Sequence, residues 1–276
     1  MSGDLIEVAL LVLLGLGLGA FGSFVGTGGG FMLVPILLLA YPDMPSEAVT
    51  ATSLFVVCAT SGSGASAYLW QRRVDVRTGV MFGAAMLPTA VVAALVVGFI
   101  SREVFNVLVA VALGAIGVSL LIPRREVVRD PVTGRGVVRR EITDRSGQTF
   151  VYRFRLWQGL ALASMIGFIS SLLGIGGGPL LVPAMALILR FPVHIATATS
   201  QFVMTFMALE ATATHIASGT LLQPDVFARA ASIAVGALIG AQVGARASRR
   251  ARGETILRAL GVVLLLAAVR LALLAF

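Results

Sequence analysis

Long apolar runs separated by short polar breaks dominate the chain. Eight of them come close to the roughly 20 residues that cross about 30 Å of hydrocarbon as a helix. In the first half they are Leu5–Phe24, Glu47–Leu69, Gly79–Ile100 and Val104–Ile122; in the second, Leu156–Leu173, Ile195–Ile216, Val226–Ala245 and Thr255–Leu274. Two shorter pieces, Phe31–Ala40 and Pro179–Leu189, reach only about 15 Å at 1.5 Å per residue, half of a bilayer. Each follows a glycine cluster: Gly26, Gly28, Gly29 and Gly30 in one case, Gly174, Gly176, Gly177 and Gly178 in the other. Between the halves lies one polar stretch, 123–155, with nine arginines and four acids. Its Val/Thr/Tyr/Phe-containing end fits a small solvent-exposed hairpin or a loose linker.

The halves are copies. Gly26–Pro35 (GTGGGFMLVP) matches Gly174–Pro183 (GIGGGPLLVP) at a shift of 148, and Thr50–Phe55 (TATSLF) matches Thr197–Phe202 (TATSQF) at a shift of 147. Arginine placement orients them by the positive-inside rule. Gln71–Arg77 and 123–155 go to the cytoplasm, and the loop with Arg246, Arg249, Arg250, Arg252 and Arg258 joins them only if Leu156–Leu189 is a hairpin that returns to its starting side. The same shape for Leu5–Ala40 puts both termini in the periplasm. The equivalent turns then carry opposite charge, Asp43 and Glu47 outside against Arg190 and His194 inside, which fits inversion. The expected fold is therefore an all-α polytopic membrane protein with two inverted repeats, each a glycine-broken hairpin plus three transmembrane helices. Residues 1–122 form the first repeat, 123–155 a cytoplasmic loop and 156–276 the second repeat.

Composition narrows the function. Hydrophobic side chains make up 58% of the chain and charged ones 12%, about half the usual soluble share. All 21 basic residues are arginine, so the lysine of a Walker A phosphate loop is missing. The arginines sit in short loops instead of on one face, which removes nucleic acid as a partner. Cys58 is alone, excluding a disulfide framework and a cysteine metal site. Met1–Glu7 carries Asp4 and Glu7 without a positive charge, so a cleaved signal peptide is not expected. No cofactor, metal or catalytic residue is expected; the partners are the bilayer, a small anion and a coupling proton, with a homo-oligomer open.

The chemistry concentrates in the duplicated motifs. A half-helix starting at Gly30 or Gly178 exposes its first amides and the positive end of its dipole. Inverted, the two starts can meet at mid-membrane and surround one anion. Gly28, Gly29, Gly30, Gly176, Gly177 and Gly178 are the candidate donors. Thr50, Thr52, Ser53, Thr197, Thr199 and Ser200 could add hydroxyls, and Gln201, replacing Leu54 of the first copy, a specific polar contact. Glu210 is the one carboxylate deep in a span, where ionisable groups are costly and functional; with His215 it could carry the coupling proton. Asp75 and Asp225 read as helix caps. Gly236, Gly240 and Gly244 read as a close helix contact, and Arg270 as a snorkelling side chain. The loose dinucleotide pattern at Gly15, Gly17 and Ala20 has no strand before it and is discounted. A passive anion channel is the alternative within transport. An intramembrane serine hydrolase using Ser61 or Ser63 with His215 is the enzymatic one.

At the GxGGGxxxVP and Thr-Ala-Thr-Ser segments of both halves the chain resembles the TauE/SafE sulfite exporters, also labelled toluene sulfonate uptake permeases. The resemblance implies a bacterial inner-membrane carrier for sulfite, sulfonates or related organic anions, working without ATP; the inverted repeats are read as a secondary transporter working by alternating access. The 123–155 insert is longer than that family's minimal loop.

Overall fold

The computed structural model describes residues 2–41, 43–96, 136–173 and 177–275, with isolated positions between 111 and 121. The predicted span Val104–Ile122 and Gly176 therefore lie largely or wholly outside the described residues, as does the Arg270 side chain. Helix α1 (Ser2–Val25) unwinds where the first glycine cluster begins. Gly26, Gly28 and Gly29 take φ of 87°, 74° and 78°, a left-handed conformation that side chains disfavour. The chain restarts as the half-length α2 (Gly30–Ala40), followed by α3 (Ser46–Trp70) and α4 (Val76–Val96).

The second half opens with α5 (Leu156–Leu173) and restarts after Gly177 as α6 (Gly178–Pro183), which widens into a π turn over Ala184–Ile188. Pro183 has no N–H to give an α-helical ladder, and the Leu189 N–H bonds back to the Ala184 carbonyl, five residues away, at 3.1 Å. Helices α7 (Val193–Ala217), α8 (Pro224–Arg250) and α9 (Gly253–Ala275) complete the chain. Three helical stretches, Leu5–Val25, Glu47–Trp70 and Pro224–Arg250, are long and apolar enough among the described residues to cross a membrane. Helix α7 is 25 residues long but devotes one face to buried Thr, Ser and Gln.

The all-α expectation needs correction, because 137–155 forms an antiparallel hairpin. Strands β1 (Val137–Thr143) and β2 (Thr149–Arg155) pair from Val137↔Arg155 to Thr143↔Thr149. The hairpin is also not freely solvated. Alternation sends Tyr152 and Phe154 to one face, and they bury against Phe191, 4.4 and 4.9 Å between ring centroids. Asp75 fastens the same face. It caps α4 through Thr78, as expected, and its Oδ2 also accepts the Tyr152 hydroxyl at 2.7 Å and pairs with Arg140 at 3.3 Å. Asp225 lies in the first turn of α8, where the helix dipole favours an acid.

Helices α1 and α8 touch backbone to backbone. A β-carbon on Gly236, Gly240 or Gly244 would strike the carbonyl of Val12, Leu16 or Ala20, and one on Gly15 or Gly19 would strike Ile233 or Ala237. The predicted close contact is thus present, and its partner is α1. Helix α5 lies along α4 in the corresponding way, with Gly167 against Met86 and the Ser164 hydroxyl bonded to the Ala85 carbonyl at 3.1 Å. Helices α3 and α7 pair antiparallel at the centre: Ala67 lies by Ala198, Val57 by Met204 and Ala208, and Ala48 near the residues that follow α7.

Candidate functional site

The two half-helices start at the centre and run apart. Helix α2 packs Leu33 and Leu37 with Val49 near the beginning of α3, and α6 packs Leu180 and Leu181 with Ile195 near the beginning of α7. Since α3 and α7 are antiparallel, α2 and α6 diverge toward opposite ends. Their amino ends are in contact, because a β-carbon on Gly178 would strike the Thr27 backbone. One added at Gly28 would sit 2.8 Å from Ser61 Oγ and 3.6 Å from Met204 Cε, and one at Gly177 would sit 3.4 Å from both Met204 Sδ and Ser170 Oγ. A single methionine therefore touches both glycine turns.

Inside each half-helix the first bonds run from Met32 and Leu33 to the Gly29 carbonyl, and from Leu180 and Leu181 to the Gly177 carbonyl. The earlier amides, those of Gly30, Phe31 and Gly178, precede the ladder as the first N–H groups of a helix must; Pro179 has none to offer. No side chain caps either start. Around them lie buried hydroxyls: Thr27 and Ser61 are fully buried, Ser170 is 1% exposed, and among the described residues the oxygen of each has no hydrogen-bond partner. The Gln201 amide donates to Ser23 Oγ at 3.0 Å and to the Thr60 carbonyl at 3.3 Å, leaving its own Oε1 unpaired. Buried polar atoms in native proteins are nearly always satisfied, so chemically this concentration can take a further acceptor or donor.

The Thr-Ala-Thr-Ser segments divide. Ser53 donates to the Gly30 carbonyl at 3.3 Å and Ser200 to the Gly26 carbonyl at 3.1 Å, so as bonded they pin the glycine loop. Thr197 bonds its own preceding turn at Val193, and Thr199 accepts the Asp75 N–H at 3.1 Å. Thr52 is buried with its oxygen unpaired. Thr50 is half-buried. The antiparallel pairing of α3 and α7 places the two segments at different levels, one on each side of the glycine turns. Gly29 turns back against the Leu18 carbonyl of α1.

Glu210 does not join this centre. It stands on the exposed face of α7, where its carbonyl accepts the Thr214 hydroxyl, and His215 is half-buried at the end of the helix. Five residues separate them, which turns the two side chains about 140° apart. The hydrolase pairing fails on distance. Ser61 lies beside Gly28 and Met204, whereas His215 is eleven residues beyond Met204 along α7, about 16 Å of helix. Ser63 instead donates to the Leu238 carbonyl at 2.7 Å.

Thr27, Ser61 and Ser170 were not among the residues expected to bind. Thr27 sits within the GTGGG motif itself, and Ser61 follows Ser53 by two turns, on one face with Val57. That spacing is the signal that could have found it. Ser170 carries no comparable mark.

A helical membrane protein with two glycine-broken half-helices meeting at its centre has the architecture of a transporter. The TauE/SafE sulfite exporter family matches residues 11–271, and the chain belongs to that family. The probable membrane transporter protein YunE of Bacillus subtilis (strain 168) is 30% identical over 265 residues, covering 93% of this chain and 94% of the relative. The probable membrane transporter protein MJ0441 of Methanocaldococcus jannaschii is 26% identical over 222 residues, 78% of this chain and 75% of the relative. No solved structure matches. The chain is a membrane transporter of the TauE/SafE type.

Proposed function

We propose that this transporter carries a small sulfur-containing oxyanion, sulfite or a sulfonate, across the bacterial inner membrane by alternating access, in symport or antiport with protons. The observation that carries the reading is the set of unpaired, fully buried hydroxyls of Thr27, Ser61 and Ser170 around two uncapped helix starts. Amide N–H groups and hydroxyls are oxyanion ligands, and the dipoles of both half-helices favour negative charge there. The inverted-repeat reading is supported by reciprocal packing: the first helix of each half lies against the third long helix of the other, α1 on α8 and α5 on α4. Gln201 and Ser23, which tie α7 to the end of α1, hold the centre across the repeats.

Flux of ³⁵S-sulfite in proteoliposomes, with and without an imposed pH gradient, tests this. The expected result is accumulation against the sulfite gradient when protons drive it. A hydrogen bond to a charged group contributes about 1.5–3 kcal/mol, so Ser61→Ala and Ser170→Ala should each weaken sulfite affinity about 10- to 100-fold. Downhill flux that never concentrates would make the protein a channel. Loss of neither affinity nor flux in the double variant would remove the glycine centre as the binding site.

A further inference from the structure

We infer that a second oxyanion station lies between the glycine centre and the arginine-lined end of the molecule, built on Arg73 and Ser248. Arg73 is 1% exposed, and its Nη2 has no hydrogen-bond partner among the described residues. Its placement follows from the chain. Arg72 takes the left-handed φ of 56° after α3, which turns Arg73 back so that its N–H reaches the Tyr68 carbonyl at 3.1 Å. The guanidinium lies 5.5 Å from the Tyr68 ring centroid and spends Nη1 on Gln71 Oε1 at 3.1 Å. Gln71 is itself anchored to the Ala245 carbonyl of α8 at 3.2 Å.

Two further polar atoms belong to this neighbourhood. Ser248 is fully buried against the Tyr68 hydroxyl, and apart from that contact its Oγ makes no hydrogen bond among the described residues; the buried Nδ1 of His194 is unpaired in the field of Arg73 and Asp144. Asp144, a carboxylate whose charge reaches Arg73, also accepts the Ser146 and Gln148 amides at 2.9 Å and the Ser146 hydroxyl at 2.7 Å within its own turn. Arg249 adds a second positive charge near Arg73. Burial holds the Arg73 pKa below the ordinary arginine value, against the opposing pull of the Asp144 charge. A buried guanidinium with a free N–H edge is best matched by a carboxylate or an oxyanion.

Gln71 connects Arg73 to the molecular surface, and Tyr68 connects it to the glycine centre. Outward lies an open groove of about 470 Å³ lined by Trp70, Gln71, Val243, Arg246, Arg249 and Arg250. Inward, the Tyr68 hydroxyl donates to the Ser23 carbonyl at 2.6 Å, and Ser23 Oγ accepts from Gln201 beside the glycine turns. The basic groove gathers anions, Arg73 and Ser248 hold one, and the glycine centre receives it. The ligand class is that of the transport reading on which this inference rests; the pairing of the two sites is new to it.

Equilibrium dialysis of the purified full-length protein in detergent against ³⁵S-sulfite counts the sites. Wild type should bind two sulfite ions per chain and Arg73→Gln one, with Ser248→Ala weakening one of the two about tenfold and Arg73→Lys restoring the count in part. Two ions in both wild type and Arg73→Gln, or one ion in both, overturn the second station and leave the glycine centre standing. One ion in wild type and none in Arg73→Gln keeps Arg73 and removes the glycine centre. No binding to wild type overturns both. Should Arg73→Gln aggregate, Ser248→Ala decides alone, and unchanged affinity at both sites is fatal. A bound sulfite displaced by added phosphatidylglycerol would give the pocket to lipid headgroups and overturn its place on the cargo route.

Discussion

A buried hydroxyl without a partner costs about 1–3 kcal/mol, and Thr27, Ser61 and Ser170 stand together in that condition. Such an expense at one spot makes sense if the bound anion satisfies them. Ser61→Ala should therefore raise the thermal stability of the sulfite-free protein, by about 1 kcal/mol on that scale, while weakening sulfite binding; loss of both stability and affinity would make Ser61 structural. Substituting the glycines is a poorer probe. Gly177 at φ 71° and Gly29 at φ 78° are strained by any side chain, so Gly177→Leu or Gly29→Leu would disturb folding as well as flux. Arg72 is the converse case: exposed, at φ 56°, it should tolerate Arg72→Gly with a gain of about 1 kcal/mol from relief of the left-handed penalty, measured by chemical unfolding. Glu210 was singled out for its depth in a span, yet depth along a helix says nothing of azimuth. Its carboxylate faces outward on α7. If it carries the coupling proton it does so from that surface, and Glu210→Gln should abolish stimulation of flux by a pH gradient while leaving sulfite affinity unchanged. Equal stimulation in the variant would free Glu210 of the role.

At the scale of elements, periodicity and length were enough to locate both half-helices, since a ten-residue apolar run after a glycine cluster has few other uses. Contacts between elements were less legible. Gly236, Gly240 and Gly244 announced a close approach, but the partner, α1, follows only from the long-range pairing that places Val12, Leu16 and Ala20 opposite them. Gly240→Ala should separate the pair or force the backbone, costing about 1–3 kcal/mol as overpacking does. Gly17→Ala, whose β-carbon meets open space, should be neutral or gain up to about 1 kcal/mol from helix propensity. Melting of the two variants side by side checks both. The hairpin was one of two readings of 123–155, and its docking was hidden because alternation in Thr149–Arg155 marks a buried face without saying against what. Its turn gives it a pH dependence. Burial opposes ionisation of Asp144, but the Ser146 hydroxyl, the Gln148 and Ser146 amides and the Arg73 charge outweigh it and hold the pKa below 3.8. With the folded pKa depressed, the contribution is complete above the unfolded carboxylate range and is lost as pH falls through the folded value. Arg145 of the same turn covers the Trp70 ring at 3.9 Å. In a Trp157→Phe background, Trp70 fluorescence should report undocking of the turn below about pH 4, and Asp144→Asn should already be undocked at neutral pH.

For the whole molecule, the decisive question is whether the glycine centre is reached from each side in turn. The elements that close it are unequal. Toward the arginine-rich end the hairpin, Tyr68, Gln71 and Arg73 form a braced layer tied to α4 through Asp75 and to α8 through Ala245. Toward the other end the centre is bounded by packed side chains of α1, α2, α3 and α8, including Leu18, Leu33, Val56 and Ile233. Polar braces break and re-form at modest net cost when water replaces them, whereas the tight apolar contact resists partial opening. The braced end should therefore open first. Cys58 is the chain's sole cysteine, so Ser61→Cys in a Cys58→Ser background places one thiol beside Gly28. A membrane-impermeant methanethiosulfonate applied to oriented proteoliposomes should modify it from the arginine-rich side in the absence of sulfite. Methanesulfonate, an anion of the proposed class that does not react with the reagent, should slow that labelling, and Tyr152→Ala, which removes a brace at Asp75, should speed it several-fold. Alternating access further requires that reaction from the opposite side rise under conditions that depress reaction from the first. If both sides label together the path is a pore, and if neither labels under turnover the cargo does not pass Gly28.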